Sequence, residues 1–151
     1  MTLSSRTSSP PSELFDALVR EGDLRGRRVL VVGCGTGTLA GELAERAVCR
    51  VWGVDASEEL LAVARANVPG VRFKQARPEE LPFKDGWFER VVLATHLVDR
   101  PRALAESRRV LGVGGRIAIL DADPVQLEEE LVRAGFVAPR IVSLVATARV
   151  P

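Results

Sequence analysis

Histidine and cysteine are scarce in this sequence, and tyrosine is absent. One histidine and two cysteines occur in 151 residues, and no C-x-x-C pair is present. So few ligands cannot make a structural zinc site. Two cysteines without a secretion signal do not make a disulfide framework either. We therefore expect no metal site, and we expect Cys34 and Cys49 to stay reduced, as they would in the cytoplasm.

A charge excess of one sign and long apolar runs are also lacking. The chain has 21 basic and 20 acidic residues, which leaves a formal net charge of +1. Because the chain as a whole has no strong positive electrostatic field, we expect neither nucleic acid nor an anionic membrane as a partner. No apolar run approaches the ~18 residues of a membrane span. The opening MTLSSRTSSPP lacks the apolar core of a signal peptide. We expect a soluble cytoplasmic protein that acts on a small molecule.

Short apolar runs alternate with helical patterns along the chain, whose length suits one domain over residues 1–151. We expect the Ser/Pro-rich residues 1–11 to be loosely ordered. The predicted strands are 28–32, 50–54, 71–75, 90–94 and 116–121, with one or two more in the tail RIVSLVATARV. The predicted helices are 10–21, 39–47, 58–67, 102–111 and 124–134. This alternation predicts an α/β fold with a doubly wound, Rossmann-like, mostly parallel sheet of about seven strands and helices on both faces.

The most informative segment is VLVVGCGTGTLAGELA, in which an apolar run ends in Gly33, Gly35 and Gly37 before a helical pattern. A second apolar run ends on Asp55, about 20 positions further on. A strand, a glycine turn, a helix and a second strand that ends in a carboxylate are typical of a nucleoside-cofactor site. The glycines allow the backbone to approach the ligand, and the carboxylate can accept hydrogen bonds from a ribose diol.

The glycine spacing argues against a dinucleotide. The fingerprint G-x-G-x-x-G would place its third glycine where Thr38 stands. A phosphate-binding P-loop would need a lysine after the glycines, and none is within reach.

The pattern G-x-G-x-G followed by an acid resembles the class I S-adenosylmethionine-dependent methyltransferases. The segment EELPFKDGWFERVVLATHL, at 79–97, is similar to that family's "LPF-DG-F-D-VV" block. The segment RVLGVGGRIAILD, at 109–121, is similar to its entry into the fifth strand. The closest resemblance in pattern is to methyltransferases of ubiquinone and menaquinone biosynthesis. It implies S-adenosylmethionine as cofactor and S-adenosylhomocysteine as product.

The resemblance also implies which residues surround the cofactor. The glycine turn would lie under the methionine part, Asp55 would bind the ribose, and the segment after the third strand would meet the adenine. The implied cofactor-binding residues are Gly33, Cys34, Gly35, Thr36, Gly37, Asp55, Ala56, Arg77, Pro78, Glu79 and Thr95. The alternative for Asp55 is an N-cap of the following helix, a role that Ser57 can already fill.

The adenine end departs from the family pattern. The family often has an acid that accepts the adenine amino proton, followed by a residue whose backbone N–H meets the ring, and Arg77 and Pro78 stand at those positions. Arginine cannot accept a hydrogen bond and proline has no N–H. Loss of two hydrogen bonds would weaken cofactor binding by roughly 10- to 30-fold. Arg77 could stack on the purine instead, and Glu79 could supply an acceptor.

His96, after the fourth strand, is the candidate catalytic base, because its ordinary pKa suits proton transfer near neutral pH. The alternative is that it packs beside the cofactor or caps the turn. Asp99 could orient His96 or cap the helix that follows. Methyl transfer from a sulfonium depends mainly on in-line positioning, so a base matters only where the acceptor must lose a proton.

Relatives of this type usually carry a helical insertion after the fifth strand that covers the substrate, and here Asp121 leads directly to Asp123 and Pro124. The fold is therefore expected to lack the usual substrate-cap insertion. Three readings stay open: a methyltransferase with an unidentified, small-molecule acceptor, a non-catalytic cofactor-binding subunit or sensor, and another nucleoside-binding enzyme. Because the predicted substrate crevice lacks this cover, a second copy of the chain could supply it, which gives a mild reason to expect a homodimer. Trp87 is expected to serve packing or an interface.

Overall fold

A computed structural model shows one seven-stranded sheet with helices, and it describes residues 12–95, 97–120, 126–142 and 144–151. Helices and strands alternate through most of the chain. In chain order they are α1 (Ser12–Gly22), β1 (Arg28–Val32), α2 (Thr38–Arg46), β2 (Arg50–Asp55), α3 (Glu58–Asn67), β3 (Arg72–Gln75), β4 (Phe88–Leu93), α4 (Arg100–Val110), β5 (Leu111–Leu120), α5 (Leu127–Arg133), β6 (Val137–Val142) and β7 (Val145–Arg149).

The strand order is β3-β2-β1-β4-β5-β7-β6. Neighbours from β3 through β5 pair in parallel, whereas β7 runs antiparallel to both β5 and β6. After β3 the chain returns to the other side of β1, so the strand order reverses between β1 and β4. In such sheets, ligands bind outside the carboxyl ends of the strands at this point. The predicted doubly wound, mostly parallel sheet of about seven strands is confirmed.

Both sides of the central strands are covered by apolar side chains, which explains why β1 and β4 are almost uninterrupted apolar runs. In β1, Leu30 and Val32 face one core cluster, whereas Val29 and Val31 face the other. Helices α1, α2 and α3 contribute to the second cluster through residues such as Leu18, Leu43 and Leu61. Helices α4 and α5 contribute to the first through Leu104 and Leu131.

The boundaries of α4 and β5 differ from those predicted. The Asp99 carboxylate accepts a hydrogen bond from the backbone N–H of Arg102 at 3.2 Å, so this cap starts the helix at Arg100. Strand β5 begins at Leu111, where the sequence predicts the end of a helix, because Leu111 pairs with Phe88 of β4. The long-range pairing, which no local pattern reveals, therefore moves the strand boundary.

Few residues connect β5 to α5, because Leu120 ends the strand and Leu127 starts the helix. This interval is too short for a helical insertion of ordinary length. His96, Asp121, Asp123 and Pro124 lie outside the described residues, as do the first eleven residues. Within the described part of the chain, no helix is long and apolar enough to cross a bilayer. Nor do three or more potential metal ligands group together among these residues.

Candidate functional site

The glycine turn between β1 and α2 packs directly on the residue that follows β4. Gly33 has φ +80°, and a Cβ atom there would lie 2.3 Å from Cβ of Thr95, just after β4. Gly37 has φ +85°, and its Cβ would lie 3.0 Å from the Phe73 ring and 3.1 Å from Cβ of Ala64. Both positions therefore exclude other residues by backbone conformation and by lack of space.

Backbone hydrogen bonds tie the turn to the end of β2. The N–H groups of Gly33 and Cys34 both donate to the carbonyl of Val54, at 2.8 and 3.0 Å. The N–H of Gly35 donates to Oδ2 of Asp55 at 2.9 Å. The turn is thus held on β4 by packing and on β2 by hydrogen bonds.

Asp55 is half-buried, and backbone groups already engage both of its carboxylate oxygens. Oδ2 accepts from Gly35, and Oδ1 accepts from the N–H of Ser57 at 2.9 Å. Ser57 itself caps α3, since its hydroxyl accepts from the N–H of Leu60 at 3.2 Å. The sequence alternative in which Asp55 caps this helix is wrong. Because each carboxylate oxygen has two lone pairs, each keeps one accepting position for a further donor.

The N-terminus of α2 points toward the same turn. Its N-cap residue, Gly37, offers no side-chain hydrogen bond to the first turn of the helix. The N–H of Gly37 donates to the carbonyl of Cys34 at 3.0 Å. Thr36 lies between the glycines, with its hydroxyl 3.5 Å from that of Thr38. The positive end of the helix dipole can therefore favour a negative ligand group here.

The Cys34 side chain is buried in the core below the turn. A Cβ atom on Gly53 would lie 3.0 Å from its Sγ. Burial raises the pKa of the Cys34 thiol to about 12, and the nearby Asp55 carboxylate adds to the increase. The contribution of Cys34 to the site is therefore its backbone.

The segment after β3 folds against the Asp55 loop. Nε2 of Gln75 donates to the carbonyl of Ala56 at 3.0 Å, and the N–H of Ala76 donates to the carbonyl of Asp55 at 3.1 Å. A tight turn follows, closed by a hydrogen bond of 3.1 Å from the N–H of Glu80 to the carbonyl of Arg77. Ala56 and Arg77 therefore lie at the same edge of the sheet as Asp55.

Within this turn, the predicted adenine-binding residues differ in exposure. Arg77 is exposed, whereas Pro78 and Glu79 are half-buried. In the described part of the chain, the Arg77 guanidinium makes no hydrogen bond or ion pair. It is thus free to move over a ligand.

A pair of residues on α4 that sequence reasoning did not connect to the site holds the loop after β3. Arg109 makes a double contact with Glu106, at 2.7 and 3.0 Å, and also donates to the carbonyls of Leu81 and Phe83, both at 2.8 Å. Glu106 accepts from the N–H of Leu81 at 2.8 Å. We call Glu106 and Arg109 the loop clamp.

The contacts of the loop clamp shift the pKa values of both its residues toward their charged forms. Hydrogen bonding to Arg109 lowers the pKa of the Glu106 carboxyl. The contact with Glu106, followed by the one with Asp85, raises the pKa of Arg109. In the sequence analysis, position 109 is only the start of the segment that is similar to the family's entry into the fifth strand. The carbonyl partners of Arg109 lie in the motif "LPF" and Arg109 itself lies in "RVL", two motifs that the sequence analysis did identify. Nothing in the spacing of the two motifs shows that their residues form hydrogen bonds with each other.

The structure describes two of the three predicted residues after β4, and their positions differ in what they say about the predicted roles. Thr95 is half-buried and packs against Gly33, and its contact with a cofactor stays a prediction. His96, the predicted base, lies outside the described residues. Asp99 caps α4 through its contact with Arg102, which agrees with the capping alternative.

Comparisons with known proteins agree with this geometry. A family model described as "Methyltransferase domain" matches residues 29–115. The demethylmenaquinone methyltransferase of Thermus thermophilus is 40% identical over 106 residues, which cover 65% of this chain and 48% of that protein. An uncharacterized methyltransferase of Mycobacterium tuberculosis is 39% identical over 117 residues, 76% of this chain and 46% of that protein. The chain thus spans about half the length of the curated relatives it matches.

A solved structure shows the same fold. Haemonchus contortus phosphoethanolamine N-methyltransferase 2, in complex with S-adenosyl-L-methionine, aligns with a TM-score of 0.76 at 24% identity. The alignment covers 85% of this chain and 37% of that one.

Proposed function

The chain belongs to the methyltransferase domain family, and from this we propose that it binds S-adenosylmethionine and transfers the methyl group to a small-molecule acceptor. One observation supports this most strongly. Asp55, at the end of β2, is fixed by Gly35 of the glycine turn, while Gly33 of that turn packs on Thr95 after β4. Three strand ends are thereby joined around one crevice, where this fold binds ligands.

The residues present fit the cofactor at its ribose and methionine ends. The carboxylate of Asp55 keeps one accepting position on each oxygen, which suits the two hydroxyls of a ribose. Gly33, Gly35 and Gly37 leave no side chain between the turn and a ligand. The N-terminus of α2 favours the carboxylate of the amino-acid part. We assign these residues, with the backbone of Cys34 and Thr36, to the cofactor.

The adenine end is assigned to Ala56, Arg77, Pro78 and Glu79. Arg77 is exposed and carries no competing contact in the described chain, so its planar guanidinium can stack on a purine ring. Glu79, two residues further along the turn, is the acceptor for the amino group. The loop clamp holds the chain just beyond these residues, at Leu81 and Phe83.

When bound, the cofactor supplies an activated methyl group attached to a sulfonium. The chain's own part in the reaction is to hold the two reactants in line, an effect that contributes about 7–11 kcal/mol in well-oriented systems. Thr95 borders the crevice through its contact with Gly33. Where the nucleophile of the substrate carries a proton, we assign His96 as the base that accepts it.

The Thermus relative is a demethylmenaquinone methyltransferase, which supports a small-molecule acceptor. Cys34 and Cys49 are both free thiols, which supports a reducing compartment, and we propose a cytoplasmic location. A homodimer stays a prediction, and sedimentation of the purified protein checks it.

Calorimetric titration with S-adenosylmethionine, S-adenosylhomocysteine and NAD tests the proposal. We expect micromolar binding of the first two and none of NAD, followed by methyl transfer from radiolabelled cofactor to an acceptor in a panel of quinols and small amines. Binding of NAD alone would overturn the proposal. Cofactor binding with no transfer to any acceptor would favour a non-catalytic subunit or sensor.

A further inference from the structure

A cationic and aromatic surface begins at the end of the sheet opposite the proposed cofactor site, where β1, β2 and β3 start. We call it the tryptophan–arginine face, and it consists of Arg28, Arg50, Arg72, Lys74, Trp52 and Trp87. The strands β1, β2 and β3 are adjacent in the sheet, and each begins with an arginine. Along β2, Arg50 lies ~16 Å from Asp55. Lys74 pairs with Val54, so the face extends from the start of the strands toward the proposed cofactor site.

Strand register places the charged residues on one side of the sheet. Arg28 pairs with Arg50 across β1 and β2, and Trp52 pairs with Arg72 across β2 and β3. Paired residues of neighbouring strands share a face, and so do residues two apart in one strand. Arg50, Trp52, Arg72 and Lys74 therefore project to the same side.

The loop that joins β3 to β4 completes the surface with aromatic rings. Trp87 meets Trp52 edge to face, with ring centroids 6.5 Å apart, and the guanidinium of Arg28 lies 5.4 Å from the Trp87 ring. Nζ of Lys74 lies 5.9 Å from the Phe83 ring of the same loop. Trp87 nevertheless keeps 44% of its surface exposed. An exposed tryptophan held in place by its neighbours is a preformed stacking platform.

The charges of this face are largely uncompensated. Arg50, Arg72 and Lys74 are exposed, and none of them forms a salt bridge within the described ranges. Glu89 lies beside Arg28, since it accepts from the N–H of Arg28 at 2.9 Å, and it also lies 3.8 Å from Arg27. This face is therefore locally positive, although the net charge of the whole chain is only +1.

From this surface we infer a second binding activity, in which the tryptophan–arginine face binds single-stranded nucleic acid. Arginine forks match phosphate oxygens, and exposed aromatic rings beside a cationic track stack on unpaired bases without sequence preference. A duplex keeps its bases stacked inside, where Trp87 cannot reach them. A second copy of the chain is disfavoured, because self-docking would oppose arginine to arginine.

Tryptophan fluorescence tests this directly, because Trp52 and Trp87 are the two tryptophans of the chain. The intact protein is titrated with a twelve-residue oligothymidylate between 50 and 200 mM salt. We expect quenching on binding, and a slope of log K against log salt of about −2 if three phosphates are contacted. Replacement of Arg50 and Arg72 together by alanine removes two of these contacts, and the slope should become shallower by about 1.4.

Two further variants separate stacking from charge. Trp87→Ala should weaken binding about fivefold, whereas Trp87→Phe, which keeps a ring, should weaken it less. The matched control replaces Arg65 and Arg133, exposed arginines on α3 and α5, by alanine, and should leave the slope unchanged.

Three outcomes would overturn the inference. The first two are absence of quenching and an unchanged slope in the Arg50/Arg72 variant. The third is binding of poly-L-glutamate with the same affinity as the oligothymidylate, which would identify the face as a docking site for an acidic protein. Titration of each variant with S-adenosylhomocysteine keeps this test distinct from that of the proposed function, because the substituted residues are not among those assigned to the cofactor.

Discussion

Oδ2 of Asp55 accepts a hydrogen bond of 2.9 Å from the backbone N–H of Gly35, and this contact joins the acid of β2 to the glycine turn of β1. The acid therefore has a structural role beside the one we propose in ribose binding. Its other oxygen is engaged by Ser57. Removal of the side chain should affect both the stability of the turn and the affinity for the cofactor.

Asp55→Ala should lower S-adenosylhomocysteine affinity more than tenfold and reduce the free energy of unfolding by about 2–4 kcal/mol. The stability loss follows from two backbone donors that lose a charged acceptor. Calorimetry and urea unfolding measure the two effects. Ser57→Ala is the control, since it removes the α3 cap, worth about 1 kcal/mol, without removing a proposed ligand. Affinity of Asp55→Ala within twofold of the parent would contradict the ribose assignment.

Gly33→Ala should destabilise the protein by about 2–5 kcal/mol, because the new Cβ would overlap Thr95 and the residue would keep a positive φ. Gly26→Ala is a matched control, since Gly26 has φ +73° but nothing within 4 Å of an added Cβ. It should therefore show the conformational strain alone. Thr95→Gly combined with Gly33→Ala should recover the steric part in a double-mutant cycle. Equal losses at both glycines would argue against tight packing of the turn on β4.

Arg109→Ala should reduce the free energy of unfolding by about 2–3 kcal/mol, because Glu106 and the carbonyls of Leu81 and Phe83 lose a charged donor. Arg108→Ala on the same helix is the control. The Arg108 side chain donates a hydrogen bond of 3.2 Å to the carbonyl of Gly135. Its loss should reduce the free energy of unfolding by less than about 1 kcal/mol. Urea unfolding monitored by tryptophan fluorescence compares them. Similar values for the two variants would mean that the loop clamp adds little.

The loop clamp should also make stability depend on pH. The pKa of Glu106 is lower in the folded protein than in the unfolded chain, because Arg109 favours the carboxylate. This contribution is complete above the unfolded pKa, near 4.3, and is lost as the pH falls through the lowered folded value. We expect Arg109→Ala to flatten the stability profile below about pH 5. An unchanged profile would show that other carboxyls, such as Asp23 and Glu89, account for the acid sensitivity.

Cys34 should resist alkylation in the folded protein despite its place in the glycine turn. Its thiol is buried and its pKa is raised to about 12, so almost no thiolate is present near pH 8. Iodoacetamide labelling followed by mass spectrometry should modify Cys34 only after denaturation. The pKa of Cys49 is raised by burial as well, so both thiols should become reactive together. Selective labelling of Cys34 in native protein would show that the turn opens.

The parts of the site that are close in sequence could be predicted, and their positions follow from local rules. The spacing of Gly33, Gly35 and Gly37 before a helical pattern predicted a strand–turn–helix unit, and the structure contains it. The predicted role of Ser57 as the cap of α3 is confirmed. The start of β5 was predicted wrongly, because Leu111 follows the helical pattern without a break but pairs with Phe88.

The sequence by itself determined the alternation of strands and helices, the glycine turn, and the acid that follows the second strand. These features depend on periodicity and on backbone conformations available within a few residues. Only the tertiary structure decided that Gly33 packs on Thr95, that Arg109 holds Leu81, and that Arg28 lies over the Trp87 ring. Such contacts join segments far apart in the chain. They depend on strand order and register, which the packing of the whole sheet determines.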